Sequence, residues 1–514
     1  MIRISTRSLI LLAGVAGIAA CGDDGPSEPD GPEPASLAIT AGNNQTAATS
    51  GQVLPAPTVR VLDEEGLPIS NLTVTFAVAT GGGSVTGATP RTSATGHASV
   101  GSWTLGTVGG VNTLTATVSG LPAVTFNATA QGPSAEPANV TLYVGANQTA
   151  QVGVPVPASP TVRVTDAGGQ PVAFATVTFS VQGGGGSATG LVQSTNADGL
   201  ARVTSWRLGP NPGVNTLRAA VAGLPPVDVT ATGRALDAAA FNLTLRFVSI
   251  VTPEQYTVFE EARQRWEEVI TGELANLPVS NQQLCTGAPN ATETIDDVVI
   301  FVNLVPIDGS GSVLGSAGPC AVRTSNGLPI AGVMNFDTAD LDGWSPQFFR
   351  DVILHEMGHV IGIGSLWNIT NPSRTLLTDG GTEKPYFTGT GALASFDVAG
   401  GASYLDVDKV PVEGLPASVG TRDSHWRESV LGNELMTGFI SGSGPNPLSA
   451  ITISSLADMG YTVNAAEAET YGLPSSSLRM HAGADLRELR EAPLTSPILV
   501  FDESGKLERS LPRR

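Results

Sequence analysis

The N-terminal half of the chain contains two copies of one pattern at a constant offset of 103 residues. The run TVRV at 58–61 recurs at 161–164, and Trp103 recurs as Trp206. These matched residues therefore have the same spacing in both copies, without a net insertion in either one. Within each copy, short β-branched runs alternate with turns of glycine, asparagine and proline, which is typical of strands. Units of about a hundred residues with this pattern predict β-sandwiches.

The two copies resemble bacterial immunoglobulin-like domains of the invasin type. Both contain Asp-x-x-Gly-x-Pro followed by Thr-Val-Thr-Phe. The resemblance implies two all-β Ig-like sandwiches, which we place at residues 35–131 and 138–233. We expect Trp103 and Trp206 to fill their cores, and we expect His97 to be an ordinary strand residue. Such domains often form stalks on surface proteins, although a tandem pair could instead bind a host or matrix ligand.

The run HEMGH at 355–359 carries the strongest chemical signal in the chain. On a helix, positions i and i+4 share one face, so His355 and His359 can bind one metal ion. A catalytic zinc site keeps one position for water, which the neighbouring Glu356 can deprotonate as general base. The pattern predicts one catalytic Zn²⁺ ion and hydrolysis of peptide bonds. The alternative, a chance match in a buried helix, is disfavoured because the chain has only 5 histidines.

Residues on either side of this motif predict where its helix begins and ends. Ser345 followed by Pro346 is typical of an N-cap and a first helical position. Gly362 is expected to end the helix, because glycine tolerates the left-handed conformation. An apolar stripe with a spacing of four residues predicts packing against a sheet. Its members are Phe349, Ile353, Met357 and Ile361.

A catalytic zinc site needs a third protein ligand. In the metzincin signature a histidine follows six residues after the second one, and Ser365 occupies that position here. Of the remaining histidines, one lies in the N-terminal repeats and His481 lies in the C-terminal tail, which leaves His425. Asp379 and Glu383 are the carboxylate alternatives, but both lie in glycine-rich segments typical of turns.

The motif HEMGHVIG, a long insertion, HWRE and then ELMTG are together similar to the leishmanolysin family of zinc endopeptidases. That family splits the metzincin motif with an insertion of this size. The resemblance implies a full set of site residues. These are His355, His359 and His425 as zinc ligands, Glu356 as general base, and Met436 as the methionine of the turn beneath the metal.

The same resemblance implies an α+β metzincin-like protease domain at residues 241–464, with a sheet and two helices above the cleft. Helical spacing predicts a helix at 253–271. We expect 332–336 to be the edge strand against which an extended peptide pairs. Residues 465–514 form a C-terminal tail of uncertain structure, for which a hairpin, a short helix and an irregular tail are all open. Further strands are expected at 241–249, 298–304 and 331–336.

The first residues of the chain have the features of an export signal. Residues 1–20 contain two arginines and then an apolar run that is shorter than the roughly 20 residues needed to span a membrane. The small residues before Cys21 resemble a bacterial lipobox, which implies cleavage before Cys21 and its lipidation. An ordinary signal peptide with a nearby cysteine is the alternative. Residues 21–34 then form an acidic, proline-rich tether.

The cysteines and the charge fit an exported protein. Cys285 and Cys320 would remain as a pair in an oxidising compartment, where a disulfide is the default. The protozoan relatives contain many more disulfides than this pair. The formal net charge of −20 disfavours a nucleic-acid partner. The zinc motif leads us to expect protein or peptide substrates, and the lipobox leads us to expect membrane attachment through the lipid. We also expect a monomer.

The sequence thus predicts a multidomain cell-envelope lipoprotein, at the outer membrane or cell surface, with a zinc endopeptidase on a stalk of two sandwiches. The alternative is a surface adhesin whose protease domain is inactive or incidental. Glu356 argues against that alternative, because an inactive domain has no need for a base beside its metal.

Overall fold

A computed structural model describes most of the chain after residue 32. The predicted signal peptide, Cys21 and most of the predicted tether, as well as His481, lie outside the described residues. The chain divides into two compact units, Met1–Gln131 and Gly132–Arg514. Within the described parts, no helix is long and apolar enough to cross a membrane. The described ranges are 33–132, 135–236, 239–311, 313–341, 344–368, 375–404, 409–442, 444–474 and 486–513.

The first unit is a β-sandwich. A three-stranded sheet with the order β1-β3-β6 and a four-stranded sheet with the order β2-β9-β8-β4 enclose its core, and β5 pairs with β7. Trp103 is completely buried in this core, as predicted. His97 begins strand β6. The strands are β1 (Ser36–Ala41), β2 (Gln45–Ala48), β3 (Thr58–Leu62), β4 (Thr75–Thr80), β5 (Ser84–Thr86), β6 (His97–Ser99), β7 (Ser102–Thr104), β8 (Gly110–Thr117) and β9 (Val124–Gln131).

A second sandwich repeats this pairing at the start of the other unit. Its sheets have the orders β10-β12-β16 and β11-β19-β18-β13-β15, and Trp206 is completely buried. The repeat extends to loop hydrogen bonds: the buried Asn112 and Asn215 each accept from a glycine amide, at 3.0 and 2.9 Å. The strands are β10 (Asn139–Val144), β11 (Gln148–Gln151), β12 (Thr161–Thr165), β13 (Thr176–Gly183), β14 (Ser187–Thr189), β15 (Val192–Ser194), β16 (Leu200–Arg202), β17 (Ser205–Arg207), β18 (Gly213–Ala220) and β19 (Val227–Arg234).

The second sandwich packs directly on the C-terminal domain. Phe247 donates its amide hydrogen to the Pro157 carbonyl at 3.0 Å. The Arg202 guanidinium donates to the Val248 carbonyl at 2.8 Å. Val144 of the sandwich is buried in the main core of the C-terminal domain. Shared apolar burial and hydrogen bonds therefore hold this sandwich to the domain.

A six-stranded mixed sheet forms the frame of the C-terminal domain, with the order β20-β23-β25-β24-β31-β32. Strands β20, β23 and β25 are parallel, and β24 is antiparallel to β25. The larger strands are β20 (Leu243–Phe247), β21 (Leu277–Gln282), β22 (Ala291–Ile295), β23 (Val298–Val305), β24 (Gly315–Arg323) and β25 (Pro329–Asp337). The shorter ones are β26 (Leu377–Thr378), β27 (Tyr386–Phe387), β28 (Val410–Pro411), β29 (Phe439–Ser441), β30 (Leu486–Glu488), β31 (Ile498–Phe501) and β32 (Leu507–Leu511).

Helix α3 carries the HEMGH motif and begins and ends where the sequence predicts. The Ser345 hydroxyl accepts from the Phe348 amide at 3.2 Å, and Gly362 ends the helix with a φ of 117°. The helix packs on β24 and β25 and against α1, so it is buried on nearly every face. The helices are α1 (Pro253–Val269), α2 (Thr338–Leu341), α3 (Pro346–Ile361), α4 (Thr390–Val398), α5 (Glu428–Leu431) and α6 (Ala450–Met459), with 3-10 turns at Gly401–Ser403 and Ala465–Glu467.

The structure corrects the expected edge strand. Residues 332–336 lie in β25, which is an interior strand between β23 and β24. The next strand, β24, would be the edge, but residues near the C-terminus pair with it: Ala321 faces Leu499 in a parallel register. The expectation was wrong because strand order depends on pairing between distant segments. The C-terminal tail, which the sequence left open, contains the hairpin β31-β32.

Candidate metal centre

The imidazole rings of three histidines converge beside helix α3. His355 and His359 come from the helix, and His425 comes from a loop that precedes α5. Their Nε2 atoms are 2.9, 3.0 and 3.1 Å apart. All three side chains are buried, with His359 the most exposed at 2%. The structure thus brings together the three histidines that the sequence singled out.

Each imidazole is oriented by a hydrogen bond from its other ring nitrogen. The acceptors for the Nδ1 hydrogens of His355, His359 and His425 are the carbonyl oxygens of Leu435, Ile363 and Thr421, at 2.7, 2.9 and 2.8 Å respectively. A proton on Nδ1 leaves the Nε2 lone pair free, which is the usual arrangement of metal-binding histidines. Burial lowers the pKa of His355 to about 4, which keeps that ring neutral and able to bind a metal.

Glu491 is a fourth donor that the sequence analysis missed. One of its carboxylate oxygens lies 3.4, 3.6 and 3.2 Å from the Nε2 atoms of His355, His359 and His425. The carboxylate form of Glu491 is the one that binds metal ions.

The four donor atoms fit a zinc ion. They form the corners of a tetrahedron whose edges range from 2.9 to 3.6 Å. Zinc bonds of roughly 2.0–2.1 Å in a tetrahedral site require edges of about 3.3 Å, within that range. Three imidazoles and one carboxylate are also a donor set that zinc accepts. This cluster could therefore hold a metal ion.

The carboxyl group of Glu356 is buried but incompletely paired. Its side chain is 1% exposed, and within the described residues its Oε2 atom has no hydrogen-bond partner. Burial raises the pKa of Glu356 well above its usual value, and the Glu491 carboxylate raises it further. A buried carboxyl group without a partner is costly, which indicates a functional role rather than a structural one.

Met436 lies against helix α3 at Gly358. A Cβ atom on Gly358 would lie 2.8 Å from the Met436 sulfur, so only glycine lets the methionine approach this closely. The Met436 carbonyl accepts from the Trp426 amide at 2.9 Å, next to His425. The glycine of the HEMGH motif, the methionine and the third histidine thus form one packed unit.

A buried carboxyl group fixes the turn that contains Met436. Glu434 is completely buried and accepts hydrogen bonds from the Met436 amide at 2.7 Å, the Ser449 hydroxyl at 2.7 Å and the Thr452 hydroxyl at 2.6 Å. Burial raises the pKa of Glu434, whereas these bonds lower it, and the net direction is upward. The turn also supplies the Leu435 carbonyl that orients His355. Glu434 therefore anchors the turn that orients His355.

We expect Glu434→Ala to lower the free energy of unfolding by about 3 kcal/mol, because several buried donors lose their acceptor. We also expect weaker metal retention, since the His355 acceptor lies on the same turn. Denaturant titration and metal content after dialysis measure the two effects. Glu261→Ala, on the exposed face of α1, is the control and should change neither. An unaltered Glu434→Ala protein would contradict the role assigned to this carboxyl group.

The alternative ligands lie elsewhere. Asp379 and Glu383 are both exposed, and neither belongs to the cluster. Ser365, at the usual position of the third histidine, donates its hydroxyl hydrogen to the His359 carbonyl at 2.6 Å. Ser365 therefore supplies a hydrogen bond to a main-chain carbonyl in the last turn of the helix and is not a member of the cluster.

Cys285 and Cys320 form a disulfide between the loop before β22 and strand β24.

A cavity of about 180 Å³ opens beside the cluster. His359 lines it, together with Arg422 and Ser424 of the loop before His425. Glu491 and the residues that follow it, as far as Leu494, form one wall. Residues near the C-terminus thus border the space next to the metal site.

Comparison with known structures finds bacterial surface proteins over the N-terminal part. The D0-D1 domains of intimin are 20% identical and cover 38% of this chain and 95% of that one, with a TM-score of 0.16. The adhesin InvE of Yersinia pseudotuberculosis is 22% identical over 39% of this chain and 59% of that one, at 0.18. Invasin, described as a bacterial integrin-binding protein, is 22% identical over 40% and 41%, at 0.17. The sandwich assignment rests on strand pairing rather than on these scores.

Comparison with sequence families concerns the C-terminal part. No curated protein gives a significant match to the chain. The leishmanolysin family model matches residues 275–477, a range that includes the three converging histidines, Glu356 and Met436. The resemblance that the split histidine motif predicts is therefore confirmed, and residues 275–477 match the leishmanolysin family of zinc metallopeptidases.

Proposed function

We propose that the C-terminal domain is a zinc-dependent endopeptidase of the metzincin type, with His355, His359 and His425 as the metal ligands. The observation that carries this proposal is the convergence of the three Nε2 atoms within 2.9 to 3.1 Å, beside the helix that also carries the buried Glu356. The Oε2 atom of Glu356 has no hydrogen-bond partner among the described residues. The leishmanolysin match over the same residues supports it. The mixed sheet with α1 and α3 on one side is compatible with the α+β arrangement of that class.

A zinc ion held by the three histidines would act as a Lewis acid that polarises the scissile carbonyl and lowers the pKa of water. In the proposed reaction Glu356 takes a proton from the attacking water and passes it to the leaving amine nitrogen. Glu356 is buried and directly follows the proposed ligand His355 in helix α3, so a group that can accept and release a proton lies at the site. The hydrogen bonds to Leu435, Ile363 and Thr421 keep the imidazoles oriented throughout.

The proposed substrates are extended segments of proteins or peptides. Main-chain pairing with a sheet edge is a common way to hold such a segment. Strand β24 is the one to consider, because it lies next to the interior strand β25 and its first residues are near the site. We propose β24 as the pairing strand, in place of the residues 332–336 that the sequence suggested.

We further propose that the protein is exported and anchored through a lipid on Cys21, with the two sandwiches as a stalk. The lipobox-like residues before Cys21 support this placement. A surface adhesin with an inactive protease domain is the rival function. The buried Glu356, whose Oε2 atom lacks a partner in the described part of the chain, favours an enzyme, because an inactive domain would gain stability by replacing it with an apolar residue.

The proposal predicts that Glu356→Gln retains zinc but loses 10²- to 10⁴-fold in the rate of peptide hydrolysis, since it removes proton transfer and no ligand. Digestion of a peptide library, followed by mass spectrometry, measures the rate, and metal analysis measures the zinc. Wild-type protein treated with a chelator should lose the activity and regain it when zinc is restored. Near-full hydrolysis by Glu356→Gln, or by metal-free protein, would contradict the proposed mechanism.

A further inference from the structure

The donor at the fourth corner of the metal cluster comes from the far end of the chain. Glu491 lies in the segment 489–492, which follows strand β30. A structural zinc site is closed by four protein ligands, whereas a catalytic site leaves one position to water or substrate. Since the Glu491 side chain is only 9% exposed and points at all three imidazoles, it occupies the position that a substrate or water would need.

The segment 489–492 is held between the two walls of the site. On one wall, the Leu489 amide donates to the carbonyl of Gly438, two residues after Met436, at 3.0 Å. On the other wall, the Leu314 amide donates to the Arg490 carbonyl at 2.8 Å, and the Ala492 amide donates to the carbonyl of residue 315 at 3.0 Å. The segment therefore bridges the methionine turn and the start of strand β24.

The C-terminal residues also pair with the side of β24 that faces away from β25. Glu491 pairs with Gly315 in a parallel bridge, and Leu499 pairs with Ala321 further along the strand. Between them, the Arg513 guanidinium donates to the Pro319 carbonyl. A peptide that adds to a sheet needs unpaired main-chain groups on the edge strand. The C-terminal residues thus pair with β24 at Gly315, at Pro319 and at 321–323.

The fit of the segment is close, but few groups hold it. A Cβ atom on Gly420 would lie 2.3 Å from the Glu491 carbonyl oxygen, so the loop before His425 touches its main chain. Leu489 is 1% exposed and belongs to the main core, whereas Arg490 keeps more than half of its side chain in solvent. Three main-chain hydrogen bonds, one bond from the Arg490 guanidinium to the Gly311 carbonyl at 3.5 Å, one buried leucine and one carboxylate hold the segment between strands β30 and β31. Local opening of so short a segment need not unfold the strands on either side of it.

We propose that the segment 489–492 is an autoinhibitory latch: Glu491 takes the fourth ligand position of the metal cluster while the segment covers the start of the β24 edge. This inference rests on the proposed peptidase function. The latched protein is latent, and it becomes active when the latch leaves the site, through displacement or proteolytic removal. A polypeptide partner that pairs with β24 and a competing metal ligand would both favour the open form.

The test compares the full-length chain with Glu491→Gln, which keeps the size of the side chain and removes the charged ligand. The probe is a fluorescent peptide hydroxamate, which needs the metal and an open fourth position but is not hydrolysed. A latch that is closed nine-tenths of the time lowers its affinity about tenfold, so Glu491→Gln should bind it at least about tenfold more tightly. Peptide hydrolysis should rise by a similar factor, with one zinc per chain retained.

Two further variants sharpen the result. Glu488→Gln removes an exposed carboxylate three residues away and should leave probe affinity and hydrolysis unchanged. Leu489→Ala removes the buried anchor but keeps Glu491, and it should also raise probe affinity. Adding Glu356→Gln to Glu491→Gln should abolish the gained hydrolysis while tight probe binding remains.

The possible outcomes separate the latch from the peptidase itself. Loss of zinc from Glu491→Gln would make Glu491 a structural ligand and overturn the latch. Unchanged probe affinity in both Glu491→Gln and Leu489→Ala would also overturn it, while hydrolysis that depends on Glu356 would leave the peptidase standing. Failure of every variant and of the wild type to bind zinc would instead overturn the proposed function.

Discussion

Replacement of His425 by alanine is expected to weaken zinc binding by more than the roughly 10- to 100-fold that is typical when an outer-sphere partner is lost. Peptide hydrolysis should fall below detection. The reason is geometric: the His425 Nε2 atom lies 3.1 and 3.0 Å from those of His355 and His359, and it completes the set of three. Because Glu491 could serve as a substitute third donor, the measurement belongs in a Glu491→Gln background.

The matched controls are the carboxylates that the sequence left as alternatives. Asp379→Ala and Glu383→Ala remove exposed groups outside the cluster, so both proteins should retain one zinc per chain after dialysis. His97→Ala, in the first sandwich, controls for the loss of any imidazole. A chain that keeps its zinc without His425 and loses it without Asp379 or Glu383 would refute the proposed ligand set and the split-motif assignment with it.

The parts of the site that depend on local sequence could be predicted. An N-cap at Ser345, a left-handed glycine at 362 and the spacing of His355 and His359 all act within one helix, so the pattern alone determines where the rings point. The offset of 103 residues likewise predicts a second sandwich with the strand pairing of the first. His425 follows only from elimination among the remaining histidines and from the resemblance to a family, because no local rule connects it to a helix that ends more than sixty residues earlier.

Glu491 could not be predicted, because its place depends on how distant strands pair. The residues around Glu491 do not form a ligand motif. Glu491 reaches the histidines because it and the residues after it pair with strand β24. A signal for that addition does exist. The apolar run at 498–501, a turn of Asp, Glu, Ser and Gly, and a second short run at 507–511 form a typical hairpin pattern. A hairpin without a partner needs a sheet edge, and the interior position of β25 leaves β24 as that edge.

The interior position of β25 also has a physical explanation. All nine of its residues are buried or nearly so, and its neighbour β23 is almost as apolar. Continuous apolar runs of this kind are typical of strands that are covered on both faces. Strand β24 has the same length and burial, but it contains two glycines and Pro319, and proline within a sheet is confined to edge strands and bulges. This difference in composition was available from the sequence and argues for β24 as the pairing strand.

Replacement of Gly364 by alanine is expected to destroy the metal site without touching a ligand. Gly364 has a φ of 70°, and a Cβ atom there would lie 1.9 Å from the main-chain carbonyl oxygen of Ser424, the residue before His425. The left-handed conformation costs alanine about 1–2 kcal/mol, and the overlap with main chain costs about 1–3 kcal/mol more. To relieve the overlap, the loop that carries His425 must move away from helix α3.

We therefore expect Gly364→Ala to lower the free energy of unfolding by about 2–5 kcal/mol and to reduce zinc content to the level of His425→Ala. Denaturation followed by tryptophan fluorescence measures the first effect, because Trp367 and Trp426, which directly follows His425, pack against each other with ring centres 4.6 Å apart. Gly287→Ala is the matched control: its φ is 82°, but no atom lies within 4 Å of the added Cβ. It should show only the left-handed penalty and keep its zinc. If Gly364→Ala also kept its zinc, the close contact between Gly364 and Ser424 would not be what places His425 beside the helix, and the hydrogen bond from His425 to Thr421 would have to be sufficient.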